Sequence, residues 1–124
     1  EARRIRKMLG GVMRQTGILA ACGIISLKDM IDRLAEDHDN ARYLAKGLEG
    51  IDGFSINLKT VQTNIVCFKF ELPNLSCKEF VGNVTKKGVY VVHLYKDSGR
   101  MVTHMDLNRS DVDYALEVFK DSVF

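Results

Sequence analysis

"VYVVHLYKDSGRMVTHMD", residues 89–106, decides how this chain is read. VYVVHLY at 89–95 is rich in β-branched and aromatic residues and reads as a strand. Asp97-Ser98-Gly99 turns the chain, and residues 99–106 return as its partner. In that second strand Met101, Thr103 and Met105 point one way, Val102 and His104 the other. A hairpin carrying an arginine at the start of its second strand and a Thr-His pair in its middle is both a scaffold and a candidate site.

Outward from the hairpin, other elements fall into place. Ser76-x-x-Glu79 is a capping box that opens a helix through Phe80, Val81 and Val84, ending at Gly88. Asn108, with Asp111 at the third helical position, caps a last helix whose face is Val112, Ala115, Leu116 and Phe119. Upstream, IVCFKF at 65–70 is a strand, and Phe54, Ile56 and Leu58 alternate as a strand over 54–58. Ser26, with Asp29 three residues on, caps a long helix over about 27–49. Its stripe is Leu27, Met30, Ile31, Leu34, Ala41, Leu44, Ala45 and Leu48, interrupted by Asp37, His38, Asp39 and Asn40. The order from residue 27 is helix, strand, strand, helix, strand, strand, helix. Short turns favour antiparallel pairing, and amphipathic helices cover one face of the sheet, an α+β layer.

The N-terminal part reads differently. Residues 1–9 form a short helix stopped by Gly10-Gly11. VMRQTGILAACGII at 12–25 carries almost no charge after Arg14, and its small residues Gly17, Ala20, Ala21 and Gly23 admit close approach of another backbone. A chain of 124 residues, one ordinary domain in size, can hardly surround such a helix. Its natural surroundings are expected to include a further domain or subunit. The chain has no initiator methionine and is expected to be a piece of something longer.

Composition excludes some classes. No apolar run approaches the ~20 residues of a membrane-spanning helix. The start lacks the apolar stretch of a secretory signal. Residues 1–14 hold five basic residues and one acidic against a net charge of +2 for the whole chain, so the remainder is net acidic. That cluster suits a phosphate or is simply a solvated helix face; without interleaved aromatics it does not suit single-stranded nucleic acid. Cys22, Cys67 and Cys77 form neither a disulfide framework nor a metal motif, and read as small buried hydrophobes in a reducing compartment.

Several residues could carry chemistry. Arg100 is either a surface arginine or a fixed fork that grips a carboxylate through two parallel hydrogen bonds. Lys7 and Arg14 flank Gly10-Gly11 and could clasp an anion. His93 and His104 sit on the paired strands without a third metal ligand at telling spacing, which favours structural roles and no metal. Thr103 suits a bond to neighbouring backbone, and His38 a solvated or capping contact.

Four segments, RRIRKMLGGVMRQTGILAACG (3–23), RLAEDHDNARYLAKGLEGI (33–51), VQTNIVCF (61–68) and GRMVTHMDLNRSD (99–111), together resemble the low-specificity L-threonine aldolases, in the family's order and approximate spacing. The whole chain resembles the C-terminal third of such an enzyme. The resemblance implies fold type I of the pyridoxal-phosphate (PLP) enzymes. Residues 1–26 would end the large PLP-binding domain, and 27–124 would be the small C-terminal α+β domain, an antiparallel sheet with helices on one face. It implies a homotetramer acting on a small amino-acid substrate; the cysteine usage points to a reducing, cytoplasmic compartment, and the composition to neither nucleic acid nor membrane. The activity implied is cleavage of L-threonine or L-allo-threonine to glycine and acetaldehyde. Arg100 matches the arginine that binds the substrate α-carboxylate, at a strand edge bordering the active site. Lys7 and Arg14 match the cations that approach the cofactor phosphate of a neighbouring subunit. Thr103 and His104 match as supporting residues that shape the strand. The Schiff-base lysine of the family lies upstream, so no lysine of this chain is expected to anchor the cofactor and the isolated chain is expected to be inactive. Where the family reads GGG, this chain has Gly10-Gly11-Val12, which puts the local loop geometry in question. Other readings are a different fold-type I lyase, for example one eliminating at Cβ, or a non-catalytic α+β interaction module.

Overall fold

A computed structural model describes residues 1–123. The chain divides into two compact units, Glu1–Asp32 and Arg33–Phe124.

The first unit holds helices α1 (Ala2–Met8) and α2 (Gly17–Asp29). Gly10 takes φ +77°, which ends α1 as expected of a residue free of Cβ strain. Gly11 packs on α1: a Cβ there would lie 2.9 Å from Arg6 Cγ. Val12 lies outside the left-handed region, since the non-glycine residues with positive φ are Gln15 and Lys96. The valine therefore brings no backbone strain to the loop. The apolar residues of α2 point to all sides of the helix, and Ile18, Leu19, Ile24, Ile25 and Leu27 are exposed. Such a helix is stable in water only when something covers it.

Helix α2 runs through Ser26, so the helix expected over 27–49 is two helices, with α3 at Leu34–Glu49. Ser26 is not a cap; inside α2 its Oγ donates to the Cys22 carbonyl at 2.9 Å. Neither proline nor glycine marks the break at 30–33, which is why periodicity alone runs through it.

The second unit continues with β1 (Phe54–Ser55), a 3₁₀ turn (Leu58–Thr60), β2 (Ile65–Phe70), α4 (Cys77–Lys86), β3 (Val92–Tyr95), β4 (Ser98–Val102) and α5 (Arg109–Lys120). The strands pair antiparallel in the order β1-β2-β4-β3. Both expected capping boxes form, Ser76 with Glu79 and Asn108 with Asp111. The expected 54–58 strand shrinks to β1 because Asn57, whose side chain accepts from Lys59 N–H, starts the 3₁₀ turn. The hairpin turn is Lys96-Asp97 rather than 97–99, with Lys96 at φ +46°.

One face of the sheet is core. Val66, Phe68, Phe70 and Met101 meet Ala41, Leu44, Ala45 and Leu48 of α3, Cys77, Phe80 and Val84 of α4, and Val112, Leu116 and Phe119 of α5. Burying each of these larger side chains contributes roughly 1.5–3 kcal/mol before conformational entropy is counted. Gly99 belongs to β4, not to the turn. It faces Phe68 across the ladder, and a Cβ there would fall 2.3 Å from that ring. Helices thus cover one face, as the periodicity predicts, and leave the other open.

Candidate functional site

The register decides what stands on the open face. Cys67 of β2, Arg100 of β4 and Val92 of β3 lie opposite one another in one cross-strand row. Their neighbours on either side in sequence, such as Val66, Gly99 and Met101, are buried in the core. Arg100 is therefore in the middle of an inner strand, not at a strand edge or start as expected. The ladder on both sides fixes its backbone. Exposed Ile65, Val92 and Val102 share its side of the sheet.

The Arg100 side chain is part-buried and makes no hydrogen bond or ion pair among the described residues. Its Nε is the one buried side-chain nitrogen or oxygen left without a partner among the described residues. An unmet buried donor costs about 1–3 kcal/mol, more when charged. A fold that keeps one on a guanidinium is suited to an anion that completes it.

Thr103 faces the other way and is 2% exposed. Its Oγ1 donates to the Asp37 carbonyl of α3 at 2.6 Å. Its N–H donates to the Asn64 carbonyl at 2.9 Å, and its own carbonyl accepts from Asn64 Nδ2 at 2.8 Å. Asp37 and Asn40, which break the apolar stripe in sequence, are buried. Asn40 Nδ2 donates to the Leu107 carbonyl at 3.3 Å. Arg33 donates to both Asp37 carboxylate oxygens, at 2.9 and 3.1 Å. That hydrogen-bonded pairing holds the Arg33 guanidinium above its ordinary pKa. The signal was present: 37, 40, 41 and 44 share one helical face, so polar residues there had to be buried and bonded.

His104 lies past the end of β4 and is exposed; its Nδ1 sits 3.3 Å from Asp106 N–H and 3.5 Å from the Asp106 carboxylate. His93 Nε2 is 2.8 Å from the Lys96 carbonyl, which makes Nε2 the protonated nitrogen. Each histidine has its own local partner, and among the described residues no three His, Cys, Asp or Glu side chains converge as metal ligands. The strand expected from residue 89 begins at Val92, and residues 88–90 instead border a cavity of about 280 Å³ with Met101, His104, Val112 and Phe119. His38 is half-buried on α3, without a side-chain hydrogen bond among the described residues.

In the first unit, Lys7 stands in the last turn of α1 and Arg14 in the turn before α2. Both are exposed, and neither side chain makes a hydrogen bond or ion pair among the described residues. Two uncommitted cations thus flank a glycine loop.

One cysteine is buried as expected and two are not. Cys77 is buried, and burial pushes its thiol pKa up, with a smaller contribution from Asp97. Cys22 and Cys67 are exposed. Apolar neighbours in sequence misled here: Cys67 alternates outward between Val66 and Phe68, and α2 has no covered face.

A four-stranded antiparallel sheet with helices on one face and a part-buried, unpartnered arginine on the other defines the class: a small α+β domain. The beta-eliminating lyase family model matches residues 1–71, and the chain belongs to that family. It is 32% identical over 124 residues to low-specificity L-threonine aldolase 1 of Arabidopsis thaliana, covering 99% of this chain and 35% of that protein. It is 36% identical over 109 residues to the low specificity L-threonine aldolase of Escherichia coli K12, covering 88% of this chain and 31% of that protein. The chain thus spans about a third of the length of these relatives. Among solved structures it matches the cystine C–S lyase C-DES at a TM-score of 0.69 and 18% identity, over 85% of this chain and 28% of that one. C-DES has also been solved with glycine covalently linked to its PLP cofactor. The fold is that of part of a fold-type I PLP enzyme.

Proposed function

We propose that the full-length protein is a PLP-dependent aldolase that cleaves L-threonine and L-allo-threonine to glycine and acetaldehyde, with Arg100 holding the substrate α-carboxylate. The observation that carries this reading is the part-buried Arg100 guanidinium, whose Nε has no partner on the free face of the sheet. Likeness to threonine aldolases over nearly the whole chain supports the substrate class.

Arg100 fits a carboxylate because its fork offers two parallel donors and its backbone is fixed by ladders on both sides. Gripping the carboxylate fixes the rotation of the amino acid about its Cα. That alignment of the Cα–Cβ bond is an orientational lever on rate. Cys67 and Val92 flank the seat and bring no competing charge. Lys7 and Arg14 are proposed to meet the cofactor phosphate, contributed across a subunit boundary in a homotetramer. Bound PLP would supply the electron sink for charge that develops at Cα. Thr103 acts through the strand, and His104 shapes its exit. Residues 1–26 are assigned to the end of the large PLP-binding domain and 27–124 to the small domain. The anchoring lysine belongs to sequence outside this chain, so the isolated chain is inactive. The cytoplasm is the proposed compartment.

A second reading is a related fold-type I lyase that eliminates at Cβ, favoured by the family match and by the likeness to a C–S lyase. The test is acetaldehyde release from L-threonine and L-allo-threonine by the full-length holoenzyme, beside Arg100→Lys. A lysine offers a point charge in place of the fork. We expect robust cleavage, lowered in the variant by roughly 30-fold or more, about 2 kcal/mol or above. A cofactor-loaded protein that releases no acetaldehyde supports the eliminating lyase. A protein that binds no PLP refutes both enzyme readings in favour of an interaction module.

A further inference from the structure

The regular β2–β4 ladder runs from Lys69↔Ser98 to Ile65↔Val102. One residue beyond it, Asn64 clasps Thr103 from both sides. The Asn64 carbonyl accepts from Thr103 N–H at 2.9 Å, and Asn64 Nδ2 donates to the Thr103 carbonyl at 2.8 Å. With its two backbone groups held, Thr103 turns its hydroxyl to the Asp37 carbonyl at 2.6 Å, and Arg33 grips the Asp37 carboxylate. The end of β4 is therefore tied to β2 and to the first turn of α3 at once.

This tie bears on Arg100. Strand side chains alternate with a period of two, so a slip of one residue would turn Arg100 from the free face into the core. Gly99 fixes which residue meets Phe68, because that ring occupies the space of any Cβ. Gly99 cannot stop the strand end from fraying or changing its twist, and Thr103 is three residues from Arg100. The side-chain amide of Asn64 does that work by carrying the pairing past the last regular partner.

We propose that Asn64 is a positioning residue for Arg100: through Thr103 it sets the twist of β4 and so the aim of the guanidinium. The proposal rests on the reading of Arg100 as the carboxylate holder. Asn64→Asp keeps the shape and places a carboxylate oxygen against the Thr103 carbonyl. Asn64→Ala removes the donor without adding charge, and serves if the first variant does not fold.

The measurement is binding of glycine and of glycinamide to the full-length holoenzyme, followed by cofactor absorbance. The two ligands differ in the carboxylate alone, so the ratio of their dissociation constants reports the grip of Arg100. We expect wild type to prefer glycine, Arg100→Met to lose the preference, and either Asn64 variant to reduce it roughly fivefold or more, with glycinamide binding little changed. A merely structural loss weakens both ligands alike; that result, with the preference lost in Arg100→Met, overturns the role of Asn64 alone. A preference that survives in Arg100→Met overturns the carboxylate reading and this proposal with it.

Discussion

Replacing Gly99 by alanine tests how tightly the sheet is fitted around the candidate site. The added Cβ would stand 2.3 Å from Phe68 Cζ and 2.8 Å from Cε1. Carbon atoms rest at about 3.5–4.0 Å, so the overlap exceeds ~1 Å. The ring has little room to yield, because Phe68 is buried and its centroid lies 5.2 Å from that of Phe54. Phe54 in turn touches Phe70, Phe80 and Phe119. Overpacking of this kind costs typically about 1–3 kcal/mol, and the upper end applies where a buried ring must move. Removing a glycine from a strand returns roughly 0.5–1 kcal/mol, leaving a net loss of about 2 kcal/mol. With a urea slope of about 1 kcal/mol/M, the unfolding midpoint of the chain, followed by far-ultraviolet circular dichroism, falls by about 2 M. Phe68→Leu shortens the obstructing side chain, so Gly99→Ala/Phe68→Leu unfolds within about 0.3 M of Phe68→Leu alone. A Gly99→Ala midpoint equal to wild type, or a double variant that adds the two losses, refutes the steric argument.

Thr103→Val keeps the shape and removes the hydroxyl bond to the Asp37 carbonyl, which α3 still bonds, so it costs about 0.5–1.5 kcal/mol by urea unfolding, whereas Thr103→Ser keeps the bond and loses less. Alkylation of the native chain followed by mass spectrometry labels Cys22 and Cys67 and spares Cys77. Because burial raises the folded Cys77 pKa above its ordinary 9.0, its contribution to stability is full below that pH and is lost as pH rises through the folded value; Cys77→Ala flattens that alkaline fall. Arg14→Gln in the full-length enzyme removes one charge-assisted contact and weakens cofactor affinity by about tenfold or more, read by equilibrium dialysis; unchanged affinity removes Arg14 from the phosphate site.

Elements with local chemistry were legible in the sequence. Both capping boxes, the β2 strand and the α5 helix stand where cap spacing and alternation put them. The break between α2 and α3 was not legible, because Met30-Ile31-Asp32-Arg33 contains no breaker and continues the apolar period. The hairpin turn was misplaced because Gly99 suggested a turn while its use is the close approach of Phe68. Arg100 was singled out through family resemblance; its residue type alone did not separate it from a surface arginine. Its lack of a partner depends on what two other strands place beside it, which one sequence does not display. Asn64 passed unremarked because its donor is spent on a residue 39 positions away.

The phenylalanine cluster has a consequence for how the chain matures. Phe54, from the first strand, lies within 6.1 Å, centroid to centroid, of Phe119 in the last helix. During synthesis the early members emerge long before the residue that closes the cluster. Until the segment beyond Phe119 clears the ribosome, Phe54, Phe70 and Phe80 form an unfinished nucleus with a missing wall. The unit around it is thus expected to commit to its native packing late and all at once, and a nascent chain halted before α5 is a natural client for chaperones.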